Sequence, residues 1–280
     1  MFKNIYTIND AKIWAQSQLI ETSLLNYKNE IVWFLCDVLK CNNTYLALNK
    51  NNPISKSQKD LFIKYILERQ SGKPFQYIIK CATFYGRDFI VNPNVLIPRP
   101  ETEIIIDSII KCKSIDSLLE VGTGSGCIGI TASLETKIKN ICLTDISQSA
   151  LNVAKTNANK YNISNITFLK HDIINDQMIQ GDFDIIIANP PYISEKEYSE
   201  LNESVKKYEP KQALTDNSDG FLFYKVFANI ASKYMKKNAS MILEFGGNNQ
   251  LAEIKTIFSN FNYSIKNDLQ GDARIIVIKL

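Results

Sequence analysis

Residues 118–130 read LLEVGTGSGCIGI: a short apolar run, a turn carrying Gly122, Gly124 and Gly126, and a return to apolar residues. An apolar run closed by glycines and followed by a helical pattern is a buried strand, a turn and the start of a helix. Glycine lets the backbone turn sharply and approach a ligand with no Cβ in the way, and the new helix presents unpaired N–H groups to an anionic group. A dinucleotide fingerprint, G-x-G-x-x-G, would place its third glycine at position 127, where this chain has Cys127. The turn from Gly122 through Thr123, Gly124 and Ser125 to Gly126 is therefore a nucleotide-type site whose ligand the motif alone leaves open.

Toward the C-terminus, strand-like stretches at 117–122, 141–146, 166–172, 182–190, 240–246, 263–268 and 274–280 alternate with helical patterns such as SQSALNVAKTNANKY (147–161) and FLFYKVFANIASKYMKK (221–237). That alternation predicts an α/β fold of the Rossmann-like, doubly wound kind, a mostly parallel sheet with helices on both faces. The last two strands are separated only by LQGDA, too short for a parallel crossover, so they are expected to form a C-terminal antiparallel hairpin in a seven-stranded sheet.

Three successive strand ends carry groups suited to one ligand. After the glycine turn, the second strand ends in Asp145, where a carboxylate accepts hydrogen bonds from a ribose diol, and the third ends in Asp172 and Ile173, a carboxylate and an apolar side chain for the edge and face of an adenine. Taken singly, Asp145 and Asp172 read equally well as caps of the turn or helix that follows. Taken in order, the three ends point to a nucleoside.

The fourth strand ends in Asn189-Pro190-Pro191-Tyr192. Proline fixes φ and has no N–H, so Pro190 and Pro191 form a stiff elbow whose carbonyls are not spent on a following helix. Asn189 adds a side-chain acceptor. Two acceptors aimed at one point suit a planar NH₂ group with two donors, and an aromatic ring such as Tyr192 can stack on its plane. The bland alternative is an ordinary loop turn.

Composition narrows the chemistry. With 45% hydrophobic and 10% aromatic residues over 280 positions the chain holds enough apolar material for a large domain and a smaller companion. A net charge of +3, with lysines scattered among carboxylates, permits nucleic-acid binding without suggesting it. Six cysteines form no C-x-x-C pair and His171 is the single histidine, so neither a metal site nor a disulfide framework is expected, and a mechanism needing a His base and a His acid is excluded. The start, MFKNIYTINDAKIWAQSQ, lacks the apolar core of a signal peptide, and no stretch approaches the ~20 apolar residues of a membrane span, so a soluble cytoplasmic protein is expected.

Upstream, 1–75 reads as a helical domain of three to five helices, with Trp14, Trp33 and Phe34 in its core and the Asn-rich CNNTYLALNKNNP (41–53) as an exposed loop. In the pattern around 57–72, Leu61, Phe62, Tyr65, Ile66 and Leu67 recur at helical spacing before Gly72 and Pro74. Residues 76–100, cut by Gly86, Pro93, Pro98 and Pro100, read as a β-hairpin linker to the domain at 101–280.

On the glycine turn, NPPYI, LIPRPETE (96–103), YEPKQAL (208–214) and DGFLFYK (219–225), the chain resembles the Rossmann-like S-adenosylmethionine-dependent methyltransferases, and within them the bacterial peptide chain release factor glutamine methyltransferases of the PrmC/HemK family. The resemblance runs from about residue 72 to the end. It implies transfer of a methyl group from S-adenosylmethionine, leaving S-adenosylhomocysteine, to the side-chain amide nitrogen of the glutamine in the Gly-Gly-Gln loop of release factors. Gly122 to Gly126 would contact the methionine end of the cofactor, Asp145 its ribose, and Asp172 with Ile173 its adenine, where many relatives carry an aromatic in place of Ile173. Asn189, which would also border the cofactor, and the Pro190 carbonyl would hold the glutamine amide, with Pro191 and Tyr192 closing the site and Arg99 touching substrate. Arg99 has a second reading, an interdomain ion pair with Glu103. The helical domain would recognise the protein substrate, and the enzyme would act as a monomer with no direct nucleic-acid role and no membrane. The alternative is N6-methylation of adenine in DNA or RNA, which uses the same tetrapeptide on an aryl amine.

Overall fold

The computed structural model describes residues 5–22, 24, 26–112, 115–175, 179 and 182–280. They fall into two compact units, Met1–Cys81 and Ala82–Leu280. Of the start read against a signal peptide, residues 1–4 lie outside the described residues.

The first unit holds α1 (Ile8–Leu19), α2 (Tyr27–Leu39), α3 (Asn43–Leu48), α4 (Lys56–Gln70) and α5 (Phe75–Ile79). Local chemistry starts its longer helices: Thr7 with Asp10 and Ser55 with Gln58 form capping boxes at α1 and α4, each satisfying two orphan donors. Ala11, Ala15 and Leu19 of α1 meet Ile31, Phe34 and Leu35 of α2 and Phe62 and Ile66 of α4 in one core. Phe34 is fully buried, whereas Trp33 is 47% exposed and only edges against Phe75, 5.6 Å between centroids. Leu61 and Leu67 also lie toward solvent, so the buried stripe of α4 is narrower than its apolar spacing implies. The Asn-rich segment is not a plain loop. It contains α3, because Asn42 caps it by accepting from the Tyr45 N–H at 2.9 Å, and Leu46 is buried. The asparagine that signals a loop in sequence serves here as a helix cap.

The stretch read as a hairpin linker begins as α5. The hairpin itself is β1 (Cys81–Phe84) and β2 (Arg87–Ile90), turning through Tyr85 and Gly86 at positive φ. A 3₁₀ turn at Pro100–Thr102 leads into α6 (Glu103–Ile110). Next come β3 (Ser117–Val121), α7 (Cys127–Glu135), β4 (Asn140–Asp145), α8 (Gln148–Lys160) and β5 (Ile166–Lys170). The chain continues with β6 (Phe183–Ala188), α9 (Glu195–Glu200), α10 (Glu203–Tyr208), α11 (Leu222–Tyr234), β7 (Met235–Glu244), α12 (Leu251–Ile257), β8 (Asn262–Asn267) and β9 (Ala273–Lys279).

Among the described residues the large sheet has seven strands in the order β5-β4-β3-β6-β7-β9-β8. The first five pair in parallel, while β9 runs antiparallel to both β7 and β8, as the short connection requires. The period of two sends Ile185 and Ile187 of β6 into a core with α6 and α7, and Ile186 and Ala188 into the opposite core with Tyr224, Phe227 and Ala231 of α11. One boundary differs from the sequence pattern: α11 ends at Tyr234, and Met235–Lys237 already belong to β7. Met235 pairs with Phe183 and is buried, and a register shift with Asn238 at φ 67 carries the strand on to Ser240. Burying Met235 on the sheet wins over continuing the helix.

The strand order reverses between β3 and β6, since the chain winds outward through β4 and β5 and then returns to the other side of β3. Such a switch point opens a crevice beyond the carboxyl ends of the strands.

Candidate active site

Val121 of β3 lies in register with Ala188 of β6, so the glycine turn and NPPY leave the sheet side by side although 66 residues separate Gly122 from Asn189 (189 − 122 − 1 = 66). A cleft of about 200 Å³ opens there. Gly122, Thr123, Gly124 and Ser125 are among its lining residues, together with Asp145, Asp172 and Ile173 and with Asn189, Pro191, Arg99 and Thr102. Gly126, Pro190 and Tyr192 are not among its lining residues.

The turn is shaped for close approach. Gly122 and Gly124 stand at φ 73 and 55, and a Cβ on either would meet nothing within 4 Å among the described residues. Gly126 has a packing task instead, since a Cβ there would come within 2.8 Å of Ile130 Cδ1 and 3.1 Å of Ala154 Cβ. The close approach of helix and sheet that a dinucleotide fingerprint assigns to position 127 falls on Gly129, where a Cβ would run into Leu143 and stand 2.6 Å from Glu120 Oε2.

Glu120 is buried beneath this turn. Its Oε2 accepts from the Thr123 hydroxyl at 2.9 Å and from the Gly129 N–H at 3.0 Å, tying the strand end to the first turn of α7, while Oε1 has no hydrogen-bond partner among the described residues. Burial pushes its pKa up to about 8, against the pull of those two hydrogen bonds.

Asp145 is held by two N–H groups, Ser147 on Oδ1 at 2.8 Å and Gly124 on Oδ2 at 2.9 Å. Each oxygen keeps a further lone pair, so the carboxylate braces its own turn and still has acceptors for a diol. Burial raises its pKa, and the two N–H bonds oppose that. Asp172 closes a turn as well, accepting from Ile174 N at 2.9 Å and Asn175 Nδ2 at 2.8 Å. Burial works to raise the Asp172 pKa, but the bonds from Asn175 and Ile174 outweigh it and the net direction is down. For both aspartates the capping role is real, and it leaves them at the cleft wall.

Asn189 donates from Nδ2 to Thr102 Oγ1 at 3.1 Å, and Glu244, at the end of β7, lies against the same two groups. The acceptor atoms expected to meet a substrate, Asn189 Oδ1 and the Pro190 carbonyl, accept no hydrogen bond among the described residues. Tyr192 is half-buried with its ring beside Gly246, and its carbonyl accepts from Gln250 Nε2 at 2.7 Å, while Gln250 Oε1 accepts from Gly246 N at 2.7 Å. Burial and the nearby Glu244 carboxylate push the Tyr192 phenol well above its ordinary value, so it stays neutral.

Arg99 pairs with Glu209, not Glu103. Its Nη2 donates to Glu209 Oε1 at 2.6 Å, with Glu209 almost fully buried, whereas Glu103 accepts from the Tyr85 N–H at 2.7 Å. Both ends of the Arg99 pair lie in the second unit, which rules out the interdomain bridge. Glu120, Glu209, Glu244 and Gln250 carry no role in the sequence reading, and Thr102 enters it only as part of LIPRPETE. For Glu120 and Glu244 the signal was present: each is a carboxylate ending an otherwise apolar strand, in LLEVG and SMILEFG. Burying such a group demands partners.

These residues fit S-adenosylmethionine. The Cβ-free faces of Gly122 and Gly124, the spare lone pairs of Asp145 and the apolar Ile173 line one cleft, the groups that a methionine end, a ribose and an adenine require. Among the described residues no cluster of three or more His, Cys, Asp or Glu side chains is placed to hold a metal ion, and no helix is long and apolar enough to cross a membrane.

Residues 101–248 match the family model of the methyltransferase small domain and residues 10–79 that of the PrmC N-terminal domain. The chain is 35% identical over 283 residues to a release factor glutamine methyltransferase of Bacillus cereus, covering 98% of this chain and 99% of that protein. It is 37% identical over 258 residues to a bifunctional methyltransferase of Rickettsia prowazekii, where it covers 84% of its own length and spans about half, 50%, of the relative. Among solved structures, a methyltransferase from Pyrococcus furiosus shares the fold, with TM-score 0.52 at 18% identity over 78% of this chain and 96% of the other. With a methyltransferase domain behind a PrmC-type N-terminal domain, and near-complete coverage of a relative at this identity, the chain belongs to the release factor glutamine methyltransferase family.

Proposed function

We propose that this enzyme transfers the methyl group of S-adenosylmethionine to the side-chain amide nitrogen, N5, of the glutamine in the Gly-Gly-Gln motif of peptide chain release factors. The observation that carries the reading is a pair of acceptors, Asn189 Oδ1 and the Pro190 carbonyl, that accept no hydrogen bond among the described residues and stand at the switch point where the cleft opens. The cofactor supplies an electrophilic methyl group when bound. Gly122 to Ser125 receive its methionine end, Asp145 its ribose, and Asp172 with Ile173 its adenine.

An amide nitrogen is a poor nucleophile because its lone pair is delocalised into the carbonyl. Accepting both N–H bonds at Asn189 and Pro190 returns electron density to nitrogen, fixes its direction of attack and stabilises positive charge as it develops. Positioning of this kind supplies up to about 7–11 kcal/mol in favourable cases. Tyr192, kept neutral, and Pro191 supply apolar surface near the amide, and the Arg99–Glu209 pair holds the rim of the cleft.

The helical unit, residues 1–75 in the sequence reading, recognises the release factor; 76–100 connects it to the catalytic domain at 101–280. The enzyme works in the cytoplasm as a monomer, and nucleic acid is not its substrate. The test is methyl transfer from labelled S-adenosylmethionine to purified release factor, to its Gly-Gly-Gln loop Gln→Ala variant, and to duplex DNA. Label on the wild-type release factor alone supports the glutamine assignment. Label on DNA alone replaces it with adenine N6.

A further inference from the structure

A buried carboxylate stands behind the asparagine of the proposed amide site, and none of the roles assigned above uses it. Glu244 follows Leu243, which is in register with Ala188, so Glu244 and Asn189 are neighbours at the carboxyl ends of adjacent parallel strands. Glu244 is 1% exposed and its Oε2 has no hydrogen-bond partner among the described residues. Thr102, 2% exposed, stands with it: the Asn189 amide donates to the Thr102 hydroxyl, and both Thr102 and Asn189 approach the Glu244 carboxylate. Arg274 on β9 and Glu101 in the 3₁₀ turn are the charged groups that face it, and Tyr224 on α11 binds its backbone carbonyl.

In its ionised form the Glu244 carboxylate only accepts hydrogen bonds, and a threonine hydroxyl turned toward it presents its lone pairs elsewhere. The donor end of the Asn189 amide is therefore drawn to this side, and its carbonyl is turned the other way. The reverse flip would set an amide oxygen against a carboxylate and turn two donors toward a substrate that is itself a donor.

We propose that Glu244 and Thr102 are positioning residues that lock the flip of the Asn189 side-chain amide, NH₂ inward and Oδ1 toward the acceptor nitrogen. This rests on the reading of Asn189 as the amide-binding residue, and it adds the element that makes an ambiguous side chain into a dedicated acceptor. It places the cost of burying Glu244 at the site where orientation matters to the reaction.

The experiment compares Glu244→Gln, Thr102→Val and Thr102→Ser, alone and in an Asn189→Ala background. Methyl transfer, cofactor binding by calorimetry, and the ¹⁵N side-chain NH₂ signal of Asn189 are each measured. Thr102→Val and Glu244→Gln are expected to lower kcat about tenfold or more, with cofactor Kd within about twofold of wild type, and Thr102→Ser to restore most of the rate. Neither is expected to lower the rate further once Asn189 is alanine, because residues acting through one group are not additive. The Asn189 NH₂ signal is expected to move in both variants without any substrate present, so the orientation is tested even if the release factor is not methylated. Wild-type kcat in both variants, an equal fall in the Asn189→Ala background, or an unmoved NH₂ signal would overturn the proposal. Should Glu244→Gln fail to fold, the Thr102→Val and Thr102→Ser pair decides it.

Discussion

Arg99 donates to Glu209 at 2.6 Å, across 110 residues of chain, and so ties the segment entering the 3₁₀ turn to the segment that follows α10. Glu209 also accepts from the Ile97 N–H at 3.4 Å. Two of the motifs that mark the family, LIPRPETE and YEPKQAL, thus meet as one ion pair at the cleft rim. Glu209 is the buried partner, at 2% side-chain exposure against 35% for Arg99. Removing the cation leaves a buried charge, so Arg99→Ala is expected to cost about 1–3 kcal/mol of stability. Glu209→Gln keeps an acceptor and removes the charge, and should cost less. Urea unfolding of the two variants checks this, and a smaller loss for Arg99→Ala would contradict it.

Asn189→Ala removes one of the two proposed acceptors from the cleft and leaves in place Gly122, Gly124 and Asp145, the residues proposed to hold the cofactor. The expected outcome is a fall in kcat of about 10²–10³, the scale seen when a preorganised hydrogen-bonding group is deleted. Cofactor affinity should stay close to wild type. Single-turnover kinetics with a separate binding isotherm distinguishes the two effects, and a collapse of cofactor affinity would move Asn189 into the cofactor pocket.

Asp145→Ala is expected to weaken cofactor binding by about 1–3 kcal/mol, through loss of charge-assisted hydrogen bonds to a diol. It should also loosen the Gly124 and Ser147 backbone that Asp145 now braces. Calorimetric titration reads the first effect, and amide hydrogen exchange at Gly124 reads the second. An isotherm matching wild type would remove Asp145 from the ribose role.

Glu120 predicts a pH dependence of stability in the cofactor-free protein. Its pKa rises from 4.5 in the unfolded chain to about 8 when folded, chiefly through burial. Between those values the folded state binds the extra proton, so this contribution is fully present below pH 4.5 and is lost as pH rises through about 8. Glu244, pushed up to about 7 mainly by burial, acts in the same direction over the lower part of that window. The slope reaches at most about 1.4 kcal/mol per pH unit for one such group. Between pH 7 and 8 Glu120 keeps the larger share of its proton while Glu244 gives up the rest of its own, so Glu120→Gln should flatten denaturation midpoints there, though not abolish their slope. An unchanged slope in that interval would show that Glu120 ionises at its ordinary value.

What was legible in the sequence was whatever depends on neighbours along the chain. Apolar runs closed by Gly122, Asp145, Asp172 and Asn189 mark strands and their ends, and LQGDA is too short for anything but an antiparallel return of β8 to β9. Some local signals misled because one residue type serves two structures: Asn42 caps a helix where an asparagine run suggested a loop, and Met235 leaves a helical pattern to pair with Phe183. The partners of charged groups were out of reach, because a side chain's neighbour across the sheet is set by strand order and register rather than by spacing. Glu103 is four residues from Arg99, yet the guanidinium finds Glu209, 110 residues away. Glu244 and Thr102 flank Asn189 only because β7 lies beside β6 and the 3₁₀ turn at Pro100–Thr102 reaches the end of that pair. The sequence by itself determined that this chain has a glycine-rich turn at one strand end and a stiff Asn-Pro-Pro-Tyr elbow at another. Tertiary structure alone decided that they stand at one switch point, because the reversal of strand order between β3 and β6 is what sets Gly122 beside Asn189.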